Sequence, residues 1–273
     1  MSLVVNTNMN SLTIENILNN TNNAISTSLQ RLSSGLRINS AADDPAGYAI
    51  ANDFNAKIAS MQVASQNANQ ALSMLQTADG AYSQINNILV QMKSLATEAA
   101  SGQESTNNLT SLNNEFSDLQ GEIDKIANST QYGTTDLING STTVTFQVGA
   151  TNGSNDQIIL TFNDATQSGL GVNNLHINSQ TNAATAMDTL DTALTSINAF
   201  MGDIGGYQNQ LQYTINNLTT GIQNFTSSAS TIEDVDMASE VSNLTKHQIL
   251  EQSAMAMLAQ ANTQPQAILK LLG

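Results

Sequence analysis

Asp43 and Asp44 stand side by side ahead of Pro45, within NSAADDPAGYAIA (39–51), in a chain made largely of Ala, Ser, Asn, Thr and Leu. Paired carboxylates can serve acid–base chemistry or hold a cation. Either use needs partners at fixed spacing, and no histidine lies near them in sequence. No spacing matches an EF-hand or zinc motif. The two histidines, His176 and His247, are far apart and fall on different elements. Glu233, Asp234 and Asp236 suit the positive N-terminal end of a helix that follows them. HExxH, GxSxG and glycine-rich phosphate loops are absent. The ten methionines fall mostly on helical stripes, as core packing requires. The residue types therefore predict no enzyme and no cofactor or metal. Asp44 followed by Pro45 predicts an N-cap and the first position of a helix, with Asp43 beside it.

Composition narrows the class further. The chain has 273 residues, 40% hydrophobic but only 11% charged, with 4% aromatics and no Trp. Ala, Leu, Ile and Met at helical spacing must do the packing. A net charge of −15 argues against nucleic acid and against a polybasic membrane contact. The absence of cysteine excludes disulfides and thiolate metal sites. The first twenty residues lack a basic region followed by an apolar run, so no Sec signal peptide is expected. No apolar stretch is long enough to span a membrane.

Periodicity supplies the elements. Leu18, Ile25, Leu29, Leu32 and Leu36 form a narrow amphipathic stripe at the N-terminal end. A second helix is expected over about 44–99. Ala68, Leu72, Leu75 and Tyr82 share one heptad frame in it, and Ala78, Ile85, Ile88, Met92, Leu95 and Ala99 another. A third, over about 106–128, carries Leu109, Leu112, Phe116, Leu119, Ile123 and Ile126. TTVTFQV and QIILTF alternate with period 2 around NGSND and predict a β-hairpin. From Met187 to Ile232 apolar residues recur at intervals of 3 and 4 with only Gln208 polar. That helix would be ~70 Å long at ~1.5 Å per residue. IEDVDMASE interrupts it. Leu250, Ala254, Met257, Ala261, Ile268 and Leu271 then share a frame to the C-terminal end. The fold expected is mainly α: a long antiparallel coiled-coil rod with a small β-hairpin region, plus paired N- and C-terminal helices. Rod packing is assigned to Leu72, Leu75, Leu112, Phe116, Leu119, Ile215, Leu218 and Ile222. Pairing of two terminal helices alone is marginal against the entropy of ordering them. Mobile ends that fold on assembly are the expectation.

LQRLSSGLRINSAADDPAGYAIA resembles the N-terminal signature of bacterial flagellin. YTINNL, IEDVDMASEVSNLTKHQILEQSAMAMLAQAN and PQAILKLL resemble its other end, and FQVGA with the GLG stretch after the hairpin resembles its outer-core β region. The resemblance covers nearly the whole chain. It implies a minimal flagellin that lacks the variable outer domains and polymerises with copies of itself into the flagellar filament for swimming. It implies an inner core of residues 1–43 and 233–273, packed through Leu18, Ile25, Leu29, Leu32, Leu36, Leu250, Met257, Ile268 and Leu271. Residues 44–178 and 179–232 would form the outer core, with Asp43, Asp44 and Pro45 at the spoke that joins the two. Export through the flagellar type III apparatus to an extracellular filament is implied, with an export chaperone at the C-terminal helix and with filament cap and hook-junction proteins as partners. The family usually carries arginines before IED, where this chain has Ala229 and Thr231. At the surface recognised by toll-like receptor 5, Leu95 and Glu115 match, but Gln91 stands in place of an arginine, so weak receptor contact is expected. A hook–filament junction protein, which shares such ends, is the alternative. An enzyme on a helical scaffold and a secreted coiled-coil adhesin fit less well.

Overall fold

The computed structural model describes residues 7–102 and 104–272, without the side chains of 264–272. The elements run α1 (Met9–Ser34), α2 (Pro45–Ala99), α3 (Thr106–Ser129), β1 (Gln131–Tyr132), β2 (Thr135–Asp136), β3 (Thr142–Gln147), β4 (Gln157–Phe162), α4 (Gln180–Glu233) and α5 (Met237–Leu272). They form two compact units. The terminal unit combines Met1–Lys57 with Asn224–Gly273, and the central unit is Ile58–Gln223. Both boundaries fall inside helices, in α2 and in α4. A continuous helix carries no local mark of where its packing partner changes.

In the central unit one face of α2 is buried along a single frame: Ala64, Ala68, Ala71, Leu75, Ala78, Tyr82, Ile85, Leu89, Met92, Ala96 and Ala99. The intervals alternate between 4 and 3 without a slip, as a coiled-coil seam requires. Alanine at six of these positions allows close approach. The two drifting frames expected from the larger residues are therefore one seam, with Leu72 and Ile88 half-buried on its flanks. On α4, Ala183, Ala186, Leu190, Ala193, Ile197, Ile204 and Leu211 are buried. On α3, Phe116, Gln120, Ile123 and Ala127 are buried.

The β region closes one side of this core. β3 and β4 pair antiparallel, with Val144 opposite Leu160 and Phe146 opposite Ile158. Ile158, Leu160 and Phe162 are buried. A second, two-residue pair, β1 with β2, precedes them and turns at Gly133, whose φ of 66° suits glycine. Tyr82 fixes the hairpin to α2: its hydroxyl donates to Asn163 O at 2.7 Å and accepts from Asn163 N at 3.0 Å. Burial raises the Tyr82 phenol well above its ordinary pKa, and the charges of Asp164 and Asp203 add to the rise against the Asn163 hydrogen bond.

The return from β4 to α4 is an irregular stretch whose backbone polar groups need partners. α3 supplies several. Gln120 Nε2 donates to Val172 O at 2.6 Å and Leu175 O at 3.2 Å. Asp124 accepts from Gln167 N at 2.9 Å, and Asn113 Oδ1 accepts from Ile177 N at 2.8 Å.

Candidate assembly surface

The terminal unit is built on an antiparallel pair, α1 with α5. Its seam on α1 runs through Ser11, Ile14, Leu18, Thr21, Ile25, Ser28 and Leu32, and on α5 through Glu240, Leu244, His247, Glu251, Ala254, Leu258 and Ala261. Both frames alternate 3 and 4. The most deeply buried members are small or polar: Ser11, Thr21, Ser28, Glu240, Ala254 and Ala261. Ser11 and Thr21 find partners. Ser11 Oγ donates to Asn262 Oδ1 at 3.0 Å, and Thr21 Oγ1 donates back to Ile17 O at 2.8 Å. Asn8 Nδ2 donates to Ala261 O at 2.9 Å. At the other end Arg31 Nη1 lies 4.0 Å from the carboxylate of buried Glu240.

Beside the half-buried Ile14, Leu18, Ile25, Leu32, Leu244 and Leu258 of the seam, many large apolar residues point away from it. Met9, Leu12, Ile17 and Leu29 on α1 are exposed, as are Met237, Val241, Ile249, Leu250, Met255 and Met257 on α5. Of the residues assigned to inner-core packing, Leu18, Ile25 and Leu32 are half-buried in the seam, and Leu36 is half-buried beyond α1. Leu29, Leu250 and Met257 are 51%, 44% and 59% exposed in the single chain. The side chains of Ile268 and Leu271 lie outside the described residues.

Between α1 and α2 the opening stretch makes a compact turn. Gly35, at φ 74°, ends α1 with its N–H on Arg31 O at 2.9 Å. Asp43 Oδ2 accepts from the backbone N–H groups of Asn39 at 3.2 Å and Ser40 at 3.0 Å, and from Ser40 Oγ at 3.1 Å. The Ser40 hydroxyl is the main cause of a lowered Asp43 pKa; desolvation opposes it, and the two N–H groups and the Arg31 charge assist. Asp44 Oδ1 accepts from Gly47 N at 3.0 Å and caps α2, which begins at Pro45. Gly47 leaves room for the Asp44 and Ile38 side chains. A Cβ on it would sit 2.5 Å from Asp44 Oδ2 and 2.8 Å from Ile38 Cδ1. The acid pair is thus consumed by backbone hydrogen bonds. Among the described residues no cluster of His, Asp and Glu could hold a metal, and no helix is long and apolar enough to cross a membrane.

Residues 5–143 match the family description "Bacterial flagellin N-terminal helical region", and residues 187–272 match "Bacterial flagellin C-terminal helical region". The chain belongs to the bacterial flagellin family. It is 39% identical over 245 residues to a flagellin of Halalkalibacterium halodurans, covering 89% of this chain and 90% of that one. To a Bacillus subtilis flagellin it is 35% identical over 303 residues, covering 98% and 99%. It is 34% identical to the flagellar filament 33 kDa core protein of Treponema phagedenis, covering 99% and 100%. A structure described as a flagellar hook-associated protein of Vibrio parahaemolyticus shares the fold, with a TM-score of 0.59 over 70% of this chain and all of the other at 12% identity. Flagellin is a structural filament subunit that polymerises with itself, and this chain is a structural protein and not an enzyme.

Of the rod positions, Leu75 and Phe116 are fully buried and Leu218 nearly so, while Leu72, Leu112, Leu119, Ile215 and Ile222 are half-buried. Of the receptor-surface positions, Leu95 is buried, whereas Gln91 and Glu115 are exposed. Several residues that shape the terminal unit escaped sequence reasoning: Gly47, Arg31, Arg37 and Glu240. The available signal was that the chain has two arginines and both fall within seven residues of each other.

Proposed function

We propose that the α1–α5 pair lines the interior of the flagellar filament and that neighbouring copies cover its exposed apolar residues. One observation supports this reading above others: the helix pair buries its small and polar residues and leaves Leu12, Ile17, Leu29, Leu250 and Met257 outside. A pair meant to stand alone would place those residues in the seam, because burying a Leu or Met side chain contributes about 1.5–3 kcal/mol. Residues 1–43 and 233–273 then act as the inner core, and 44–178 with 179–232 as the outer core. Leu18, Ile25 and Leu32 hold the pair together, while Leu29, Leu36, Leu250 and Met257 pack between copies; Ile268 and Leu271 are assigned to the same inner core. Asp43, Asp44 and Pro45 fix the start of the outer-core helix.

The subunit leaves the cell unfolded through the flagellar type III apparatus, with an export chaperone holding the C-terminal helix, and meets the hook-junction and cap proteins at the filament ends. Weak pairing of the terminal helices in the single chain suits that route. Toll-like receptor 5 engages the Gln91, Leu95 and Glu115 surface weakly, since Gln91 offers no cation. A reporter-cell response equal to that of a strongly stimulatory flagellin contradicts this last point.

The assembly reading is tested by electron microscopy of purified subunit added to short filament seeds. Elongation into continuous tubes is expected. Addition of only a few layers would instead identify a junction protein.

A further inference from the structure

The last turn of α4 carries Glu233 and no basic residue, and Asp234 follows directly. Negative side chains at the negative end of the helix dipole are unfavourable, and the final carbonyls there lack intrahelical donors. The segment ASTIEDVDMASE (229–240) contains neither Gly nor Pro. Its own residues therefore offer no stop for α4. Locally, Asp234 N donates to Ser230 O at 2.9 Å, Ser230 Oγ donates to the Asp234 carboxylate, and Asp236 starts α5 by accepting from Ala238 N at 3.0 Å and Ser239 N at 3.2 Å, but no residue of this segment reaches the Ile232 and Glu233 carbonyls.

The closing donors come from the other end of the chain. Arg37 N donates to Glu233 O at 2.6 Å, and Arg37 Nη2 donates to Ile232 O at 2.7 Å. Val235 N donates to Gly35 O at 3.0 Å, and Leu36 and Asp234 face each other as an isolated antiparallel bridge. Arg31, the chain's other arginine, reaches Glu240 in the first turn of α5. Both arginines thus bracket the three residues between the two C-terminal helices.

We propose that Arg37 is the C-terminal cap of α4, supplied in trans, and that it sets the break between α4 and α5. Its guanidinium provides at once the cation and the donors that α4 lacks. Without it, the cheapest way to satisfy the Ile232 and Glu233 carbonyls is to continue the helix through Asp234–Asp236. Three residues taken into a helix rotate everything beyond them by about 300°. The break therefore decides where the apolar residues of α5 face. Arg31 is a second tie, which holds α5 once the break is made. The inference stands on the terminal unit alone and is independent of where that unit sits in a filament.

The chain's lack of cysteine makes the test direct. Leu36→Cys with Asp234→Cys places two thiols at the bridge in an otherwise unmodified full-length chain, and mild oxidation reports how often the segments pair. Adding Arg37→Leu is expected to lower the initial cross-linking rate about tenfold, the equivalent of one charge-assisted hydrogen bond. Adding Arg37→Lys keeps the cation and one donor and is expected to recover most of the rate. Arg31→Leu is expected to change it less than Arg37→Leu. A second reading uses the 13Cα shift of Val235 in filaments of the cysteine-free chain. It is expected to be extended in the parent and helical in Arg37→Leu. An unchanged cross-linking rate in Arg37→Leu, or a Val235 shift that stays extended, overturns the proposal.

Discussion

Two seams of the same heptad spacing divide the molecule. In the central unit, α2 buries Leu75, Tyr82, Ile85, Leu89 and Met92 among alanines. In the terminal unit, α1 buries Ser11, Thr21 and Ser28, and α5 buries Glu240, Ala254 and Ala261. The geometry of pairing is shared, but the free energy is not. Full apolar burial drives the first, whereas the second only half-buries its leucines and isoleucines and encloses hydroxyls whose hydrogen bonds contribute little net. The central unit has the means to fold by itself. The terminal unit half-buries Leu18, Ile25 and Leu32 and keeps Leu12, Ile17, Leu29, Leu250 and Met257 for surfaces that another copy can supply. Spacing alone therefore says that two helices pair, and the residue types at the seam say how independently they do so.

Substitutions can break or sharpen this contrast. Phe116→Ala removes a fully buried ring from the central core and is expected to destabilise that unit by about 3–5 kcal/mol, seen as a lowered melting midpoint. Tyr82→Phe leaves the Asn163 backbone groups without the hydroxyl and is expected to cost about 1–3 kcal/mol by denaturant titration. The phenol carries a pH signature as well. Its folded pKa is raised, so the folded state holds the proton that the unfolded state releases above about pH 10. That stabilisation is complete below pH 10 and is lost as pH rises toward the folded value. Tyr82→Phe should flatten the alkaline decline of the central unit's stability.

In the terminal unit the expected effects are smaller. Gly47→Ala forces the new Cβ against Asp44 and is expected to cost about 0.5–2 kcal/mol through the lost cap, read as faster amide exchange in the first turn of α2. Thr21→Val with Ser28→Ala makes the seam more apolar and is expected to stabilise the α1–α5 pair by less than about 1.5 kcal/mol, slowing exchange at both ends of the chain. Leu250→Ser with Met257→Ser should shift the melting of the single chain by no more than about 0.5 kcal/mol, because both are exposed. The same pair is expected to abolish seeded elongation.

The sequence showed the long helices and the main hairpin because period 3.5 and period 2 survive in the larger residues. It showed α2 as two drifting frames because Ala64, Ala71 and Ala96 signal burial weakly, although they complete one seam. The β1–β2 pair left no trace, since two-residue strands are too short to alternate. The polar seam was hidden for a different reason. Ser11, Thr21 and Glu240 read as solvated positions, and only the partner helix reveals that they are enclosed. Arg37 was illegible for the same cause: the acceptor of its guanidinium lies 195 residues further along the chain.

Hydrogen exchange of the subunit, compared before and after seeded polymerisation, tests the central contrast most directly. The α2 and α4 amides of the central unit are expected to be protected in both states. Those of α1 and α5 are expected to exchange rapidly in the single chain and to become protected in the filament. Strong protection of α1 and α5 in the unassembled chain would contradict the account, because the polar seam would then suffice without neighbouring copies.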